Sequence, residues 1–239
     1  MRVPALCYHR IEVPPAGATS DTNFVTPDRF ASHLRLLASF GCTGVTIRDI
    51  ARWQRGQLNL PARAIAITFD DAYTSVHTYA IPLLNELSWP CTIFVVTSEV
   101  GGSNAWDAHA PRAPLMDADT LRSLAAAGHE IGSHSRTHRR IRGLADAAAH
   151  DELSASRAAL EAIVRVPVES FAFPYGSHDR RALDHVRDAG YNSACTLKRW
   201  ANGRSSNPLR LGRMSVGGPM SAYTLTAKLC KLWLTPSRV

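Results

Sequence analysis

Seven short apolar runs, separated by helix-like segments, extend over almost the whole chain. The runs are Val3–Tyr8, Ala64–Phe69, Cys91–Val96, Glu130–Ser133, Ser170–Phe173, Ser193–Leu197 and Leu209–Val216. Several of them are nearly continuous in apolar residues, which is the pattern of strands that are buried on both faces. The chain therefore favours a parallel sheet that is covered on both sides.

The segments between these runs carry helix boundary signals. Thr26 can cap a helix that has Pro27 in its first turn and ends at Gly41. Further helices are predicted over 121–127, 151–164 and 181–189, each followed by a glycine or a proline. A strand and helix order repeated about seven times predicts an α/β fold, most simply a barrel. We expect a single domain over residues 1–239.

Composition excludes several classes of protein. Apolar residues make up 45% of the 239 residues and charged residues 20%, which is ordinary globular usage. No apolar run reaches the length of about 18 residues that a membrane span needs. The net charge of +7 comes with scattered arginines. Nucleic-acid binding would call for basic clusters with interleaved aromatic residues, and these are missing.

The five cysteines contain no Cys-x-x-Cys pair, and their odd number gives no disulfide framework. The apolar stretch at the start is too short for a signal peptide. If Met1 is the native start, we expect a cytoplasmic protein, with the inner face of the membrane as an alternative location.

Asp70 and Asp71 follow directly after the predicted strand 64–69. Buried charges need partners, so two adjacent carboxylates at the end of a buried strand do not favour stability. Neighbouring residues on an extended chain point in different directions, which allows the two carboxylates to take separate roles. The alternative is a helix N-cap formed by Asp71.

His134 and His138 follow the predicted strand 130–133. On a helical turn, a spacing of four residues places two imidazoles on one face, which suits a metal ion. A carboxylate from another strand end would complete a facial site of two histidines and one aspartate, with open positions for water and substrate. The alternative is a chance pair, because the chain contains ten histidines.

His9 follows the first predicted strand, and Pro174 and Tyr175 follow the strand 170–173. Taken alone, such a histidine is usually structural and the Pro-Tyr-Gly sequence is a turn. However, these residues share with Asp70 and His134 a position just past the carboxyl end of a different strand. Active sites of α/β barrels are built at that rim.

Three segments carry a resemblance to a known family. Thr68-Phe-Asp-Asp71, His134-Ser-Arg-Thr-His138 and Phe171-Ala-Phe-Pro-Tyr-Gly176 resemble the first three motifs of the polysaccharide deacetylases, the NodB-homology group or carbohydrate esterase family 4. The similarity extends from about residue 8 to about residue 216. It implies a distorted, NodB-like (β/α) barrel of about seven strands that removes acetyl groups from glycans. It also implies one divalent metal, foremost Zn²⁺, with Co²⁺, Ni²⁺, Fe²⁺ or Mn²⁺ as alternatives.

The resemblance assigns roles residue by residue. Asp71, His134 and His138 correspond to the metal ligands of the family, and Asp70 corresponds to its catalytic base. The backbone amide of Tyr73 lies where the family places an oxyanion donor.

Two positions depart from the common family pattern. Ala172 stands where many members have an arginine that orients the base, and no histidine follows His185 to supply the usual acid. Both gaps resemble a subgroup with an N-terminal Tyr-His. In that subgroup the equivalent of His9 takes the place of the acid, and a late arginine, here Arg213, would orient Asp70.

Substrate contacts are expected from Tyr175, Pro174 and Trp106, the last of which lies in the irregular stretch 98–114. A tryptophan that merely packs on the barrel is the alternative. The segment 221–234 predicts an amphipathic helix that closes the barrel. Its alternative is a basic helix on a membrane surface.

These inferences predict a metal-dependent deacetylase that hydrolyses the N-acetyl group of an amino sugar in surface polysaccharide synthesis. The expected substrate is a lipid-linked or nucleotide-linked precursor. Deformylation of a lipid-linked amino sugar and deacetylation of a finished polymer are the alternatives. A glycan-binding pseudoenzyme belongs to a different class, and the complete set of base and metal ligands argues against it. The oligomeric state is left open.

Overall fold

The computed structural model describes residues 1–15, 18 and 23–234. The strands within them, numbered in chain order, are β1 Arg2–Val3, β2 Ala5–Tyr8, β3 Arg10–Ile11, β4 Phe24–Val25, β5 Thr43–Val45, β6 Ala64–Phe69, β7 Thr92–Val95, β8 Glu130–Ser133, β9 Ser170–Ala172, β10 Ser193–Cys195, β11 Asn202–Gly203 and β12 Met214–Ser215. Eight of these strands form one parallel sheet, and the other four form two small pairs.

The main sheet follows the order β10-β9-β8-β7-β6-β2-β12, and β5 pairs with the first half of β6. It is curled into a half-barrel, which confirms the predicted distorted α/β barrel. A single parallel bridge between Cys195 and Leu211 links the last segment of the chain back to β10. Because every pairing is parallel, the carboxyl ends of all these strands meet at one rim.

Helices connect the strands and cover the sheet. They are α1 Pro27–Ser39, α2 Ile47–Gln54, α3 Ile81–Glu86, α4 Ala118–Ala126, α5 Asp146–His150, α6 Ser156–Val164, α7 Arg180–Asp188 and α8 Ala222–Leu234. Thr26 caps α1 by accepting a hydrogen bond from the backbone N–H of Arg29, as its position in the sequence predicts. None of the described helices has the length and apolar character needed to cross a membrane.

Helix α8 is the amphipathic C-terminal helix that the sequence predicts at 221–234. Leu225 and Leu229 are buried in the same apolar cluster as Phe30 and Leu34 of α1. The apolar face of this helix is therefore used within the fold.

The predicted strand over Leu209–Val216 is wrong for most of its length. Residues Pro208–Arg210 form a 3₁₀ turn, and only Met214–Ser215 pair as a strand. The backbone of Gly212 forms hydrogen bonds with a side chain instead of with a neighbouring strand. Its N–H donates to Asn202 Oδ1 at 2.8 Å, and its carbonyl accepts from Asn202 Nδ2 at 3.0 Å.

The sequence did not predict β5. This strand has only three residues, and glycine, which has low strand propensity, stands at its centre. Gly44 is required there because a β-carbon would lie 2.6 Å from the β-carbon of Trp89.

The helix predicted at 151–164 is longer and less regular in the structure than the sequence indicated. It begins at Asp146 and contains a π-helical turn, Asp151–Ala155.

Candidate active site

The residues that the sequence singles out gather at the carboxyl rim of the sheet. His9 follows β2, Asp70 and Asp71 follow β6, His134 follows β8, and Tyr175 lies three residues beyond β9. All five line one cleft of about 760 Å³. The parallel register explains the gathering, because residues far apart in the sequence end their strands at the same edge.

Asp71, His134 and His138 form a compact set of metal-ligand atoms. Asp71 Oδ1 lies 3.7 Å from His134 Nε2 and 3.4 Å from His138 Nε2. All three side chains are buried, and Asp71 Oδ1 makes no hydrogen bond within the described part of the chain. A buried carboxylate oxygen without a donor is costly unless a cation satisfies it. The donor set therefore fits a divalent metal held by two imidazoles and one carboxylate.

His134 is prepared for this role by its surroundings. Its Nδ1 lies 2.8 Å from the carbonyl oxygen of Ala172, so Nδ1 carries the proton and Nε2 offers its lone pair. Burial lowers the pKa of His134 to about 4, because the charged imidazolium loses its water. His134 is therefore neutral near pH 7, as a metal ligand must be.

The helical turn expected between His134 and His138 is not present. The segment is an irregular loop in which Ser135 and His138 have left-handed backbone conformations, with φ of 68° and 61°. The two imidazoles nevertheless meet, with ring centroids 4.9 Å apart. The prediction that a helical turn presents both histidines on one face was wrong. The two imidazoles do lie together, as that prediction required.

Glu152 explains how the loop that carries His138 is held. This carboxylate is only 3% exposed and lies in the π-helical turn Asp151–Ala155. Its Oε2 accepts hydrogen bonds from the backbone N–H groups of Arg136 and Thr137, each at 2.9 Å. Its Oε1 accepts from the Thr137 hydroxyl. These bonds replace those that a helix would have provided.

Asp70 has a different environment from its neighbour. Arg213, which is completely buried, donates from Nη1 to Oδ1 at 2.6 Å and from Nη2 to Oδ2 at 2.8 Å. Burial alone would raise the pKa of Asp70, but the guanidinium of Arg213 outweighs it and holds the pKa well below its usual value. Asp70 is thus an oriented, ionised carboxylate, and the adjacent pair does take two separate environments, as the sequence suggested.

Cys7 adds a third donor to Asp70. Its thiol lies 3.3 Å from Asp70 Oδ2, and burial raises the pKa of the thiol, which keeps it protonated. Cys7, His9 and Asp70 also offer three possible ligand atoms within 4.8 Å of one another. The hydrogen bonds from Arg213 to both oxygens of Asp70 oppose a cation there, so the set of Asp71, His134 and His138 is the better candidate for a metal.

Aromatic rings surround His138. Trp106 stacks on its imidazole with centroids 4.9 Å apart, and Tyr175 meets it edge to face at 4.7 Å. The Tyr175 hydroxyl also lies 3.2 Å from His138 Nδ1. Trp106 and Tyr175 both line the cleft, so the loop tryptophan is in place to contact a ligand.

Pro174 and Tyr73 take different positions. Pro174 is buried and is absent from the described lining of the cleft. It begins the turn that presents Tyr175, whose backbone is left-handed with φ of 59°. Tyr73 does line the cleft. It follows Asp71 and Ala72, which have φ of 74° and 60°; with Tyr175, Ser135 and His138, five residues of left-handed backbone lie at or beside the proposed site.

Several residues at the site were missed by sequence reasoning. Cys7 and Glu152 carry no motif, since only the fold brings their side chains to Asp70 and to the His138 loop. Arg199 and Lys228, which line the cleft, were also missed. The sequence did carry a signal for these two residues, because no aspartate or glutamate follows Asp188.

The sequence profile of the polysaccharide deacetylases matches residues 57–194, which is more than half of the chain. The protein belongs to the polysaccharide deacetylase family. It is therefore a hydrolase of the carbohydrate N-deacetylase class, and the predicted family is confirmed.

Two individual relatives and one solved structure extend the comparison. Protein YxkH of Bacillus subtilis is 22% identical over 226 residues, which cover 95% of this chain and 75% of that protein. The poly-β-1,6-N-acetyl-D-glucosamine N-deacetylase of Staphylococcus aureus is 21% identical over 201 residues, covering 80% and 67%. The structure of the Streptococcus pyogenes deacetylase PplD superposes with a TM-score of 0.83 at 20% identity, over 95% of this chain and 98% of that one.

Proposed function

We propose that this polysaccharide deacetylase uses one divalent metal to hydrolyse the N-acetyl group of an amino sugar. The observation that carries the proposal is the unsatisfied, buried Oδ1 of Asp71, which faces the Nε2 atoms of His134 and His138. The residues beside it supply an oriented base and a cleft with aromatic walls.

Asp71, His134 and His138 would hold the metal. When bound there, a divalent cation such as Zn²⁺ would acidify a water molecule and polarise the acyl carbonyl. The neutral state of His134 and its fixed tautomer support this ligand set. Among divalent ions, Zn²⁺, Co²⁺, Ni²⁺ and Fe²⁺ suit imidazole ligands, and Mn²⁺ suits the carboxylate.

Asp70 would accept the proton of the water molecule that attacks the acetamide carbon. The two hydrogen bonds from Arg213 keep its carboxylate ionised and aimed. A general base must be within hydrogen-bond reach of the proton that it removes, and Asp70 lines the cleft directly beside Asp71.

His9 would donate a proton to the departing amine. It is half-buried, it lines the cleft, and one of its ring nitrogens lies within 4.8 Å of a carboxylate oxygen of Asp70. The backbone N–H of Tyr73 would stabilise the oxyanion that develops on the carbonyl. Trp106 and Tyr175 would contact the sugar.

The N-acetyl group is the proposed acyl group because the Staphylococcus aureus relative is named for an N-acetylglucosamine polymer. We further propose a lipid-linked or nucleotide-linked amino sugar precursor as substrate, in the cytoplasm and at the inner face of the membrane for the lipid-linked form. The single catalytic domain over 1–239 belongs to the same proposal.

The test is acyl release by purified protein that has been stripped with a chelator and reloaded with one metal at a time. Substrates are N-acetylglucosamine oligomers with β-1,4 and β-1,6 linkages, a nucleotide-linked N-acetylglucosamine, and N-formyl counterparts. We expect metal-dependent acetate release, and its loss, together with the metal, in His134→Ala and His138→Ala.

The alternatives give different results. Formate release without acetate release identifies a deformylase. A preference for long oligomers identifies an enzyme of finished polymers. Sugar binding without turnover for any loaded metal identifies a pseudoenzyme and refutes the proposal, as does full metal occupancy in the His134→Ala, His138→Ala double variant.

A further inference from the structure

The charges of this chain are unevenly distributed. The last acidic residue is Asp188, and residues 189–239 contain eight lysines and arginines but no aspartate or glutamate. The rest of the chain is nearly neutral, so the net charge of +7 originates in this C-terminal segment. Such an asymmetry between two parts of a chain indicates contact with an anionic partner or ligand.

The fold brings part of this segment to the proposed catalytic cleft, and we call that part the cationic wall. Nine of the described residues that line the cleft belong to it, from Leu197 after β10 to Lys228 in α8. The aromatic rings of Tyr73, Trp106 and Tyr175 line the same cleft. The cleft therefore combines aromatic rings with a cationic wall.

Arg199 and Lys228 are the charged residues of the cationic wall. Arg199 is exposed and Lys228 is half-buried, and their side chains form no ion pair or hydrogen bond with the described residues. Helix α8 contains no acidic residue that would neutralise Lys228. Two uncompensated cations at the edge of a concave site repel one another in the absence of a ligand, and an anion that contacts both would relieve that repulsion.

The acidic residues in the cleft are already engaged. Asp70 is neutralised by Arg213, and Asp71 faces His134 and His138. Asp107 accepts hydrogen bonds from the backbone of residues 109 and 110 through Oδ1. None of the three forms an ion pair with Arg199 or Lys228 in the described structure, so the cationic wall is open to a ligand.

We propose that Arg199 and Lys228 form a subsite for a phosphate or diphosphate group carried by the amino sugar substrate. This proposal rests on the proposed function and specifies its substrate class. Arginine offers a planar pair of donors to phosphate oxygens, and lysine adds a point charge from a second element. Together they would hold the phosphate at the cationic wall while the sugar ring lies toward Trp106 and Tyr175.

The first test is a binding experiment that does not depend on turnover. The probes are glucosamine 1-phosphate and glucosamine, neither of which carries an acyl group to be released. We expect metal-loaded wild-type protein to bind the phosphorylated probe at least tenfold more tightly. The double variant Arg199→Gln, Lys228→Gln should lose that preference, since one hydrogen bond to a charged group is worth about tenfold or more in affinity.

Lys198→Gln is the matched control, because Lys198 is exposed, adjacent to Arg199 and absent from the described lining of the cleft. It removes one of the two positive charges that the double variant loses, from outside the cleft lining, and should leave the preference intact. Equal affinity of the two probes for wild-type protein, or an unchanged preference in the double variant, overturns the proposal. Absence of measurable binding by glucosamine 1-phosphate overturns it as well.

The second test compares substrates by KM and kcat. We expect the double variant to raise KM for a nucleotide-linked or lipid-linked N-acetyl sugar by about tenfold or more, with kcat unchanged and with neutral oligomers unaffected. The substrate class whose KM responds identifies the source of the phosphate. A phosphate preference in binding without acetate release from any substrate would refute the proposed function and leave the subsite standing. An equal rise in KM for neutral and phosphorylated substrates would refute the subsite alone.

Discussion

Arg213 and Asp70 face each other through two parallel hydrogen bonds, of 2.6 Å and 2.8 Å, although 143 residues separate them in the sequence. Arg213 also donates from Nη1 to Thr68 Oγ1 at 3.0 Å and from Nε to the carbonyl of Thr196 at 3.3 Å. These two bonds help to hold the guanidinium in place, in addition to its contact with Asp70. This arrangement supports the role that the sequence suggested for Arg213. That role is to orient Asp70 in place of the arginine that many family members have at the position of Ala172.

Replacement of Arg213 by lysine tests this relationship. A lysine keeps the charge but cannot donate two parallel hydrogen bonds, so the carboxylate of Asp70 would lose its orientation. We expect kcat to fall by about 10²-fold with the metal retained, because a small misplacement of a reacting group has an effect of that size. Arg210→Lys, three residues away and outside the cleft lining, is the control. Wild-type kcat in Arg213→Lys would show that orientation of Asp70 is unimportant.

The paired carboxylates should separate under substitution by asparagine. Asp70→Asn should keep the metal and reduce turnover by roughly 10²- to 10⁴-fold, because it removes the base. Asp71→Asn should weaken metal binding itself. Asp70→Asn also leaves Arg213 buried without its counter-charge, so we expect a clear fall in Tm, and assays should be run well below it. Elemental analysis of both variants decides; equal metal loss would mean that the assignment is reversed or shared.

His9→Ala should lower kcat for an acetamide by roughly 10²- to 10⁴-fold at constant metal content, because proton donation to the amine is lost. The kcat for an activated acetyl ester, whose leaving group needs no proton, should fall far less. The ratio of the two losses is the measurement. An unchanged rate on the acetamide would make His9 structural and would require another donor near Asp70.

Glu152 is expected to act on the metal through the backbone. Glu152→Ala removes the acceptor that holds the loop at Arg136 and Thr137, so His138 would lose its position. We expect metal affinity to fall by about 10- to 100-fold, the range typical of residues that support ligands. Asp151→Ala is the control: Asp151 is exposed and contacts Arg136 from the same turn, at 2.6 Å. Equal affinities in the two variants would contradict this prediction.

Glu130 lies at the opposite end of β8 from His134. We expect its carboxyl group to make the stability of the protein depend on pH. Burial raises the pKa of its carboxyl, although Ser170, Thr92 and the backbone N–H of Arg48 donate to it. The folded protein therefore holds this proton more tightly than the unfolded chain does. Its contribution to stability is greatest at low pH and declines as the pH rises through the folded pKa.

The measurement compares wild-type protein with Glu130→Gln by urea unfolding between about pH 5 and pH 8. We expect the free energy of unfolding of the wild type to fall, relative to that of the variant, as the pH rises. Parallel pH profiles, or a relative rise of the wild type, would contradict the prediction.

The sequence by itself determined the sheet and most of the proposed site. Continuous apolar runs such as β6 specify buried parallel strands, and such strands bring their carboxyl ends to one rim, so Asp70, His134 and His9 could be placed together without coordinates. The adjacent carboxylates and the paired histidines could be recognised from short local motifs alone.

Tertiary structure alone decided which distant groups support those motifs. Neither the thiol of Cys7 beside Asp70 nor the carboxylate of Glu152 beneath the His138 loop belongs to a local pattern, because each contact is created by packing between segments distant in the sequence. The conformation of the His138 loop was likewise decided by Glu152, whose hydrogen bonds replace those of a helix. The cationic wall at Arg199 and Lys228 required both levels: the sequence concentrates the charge, and the fold brings it to the cleft.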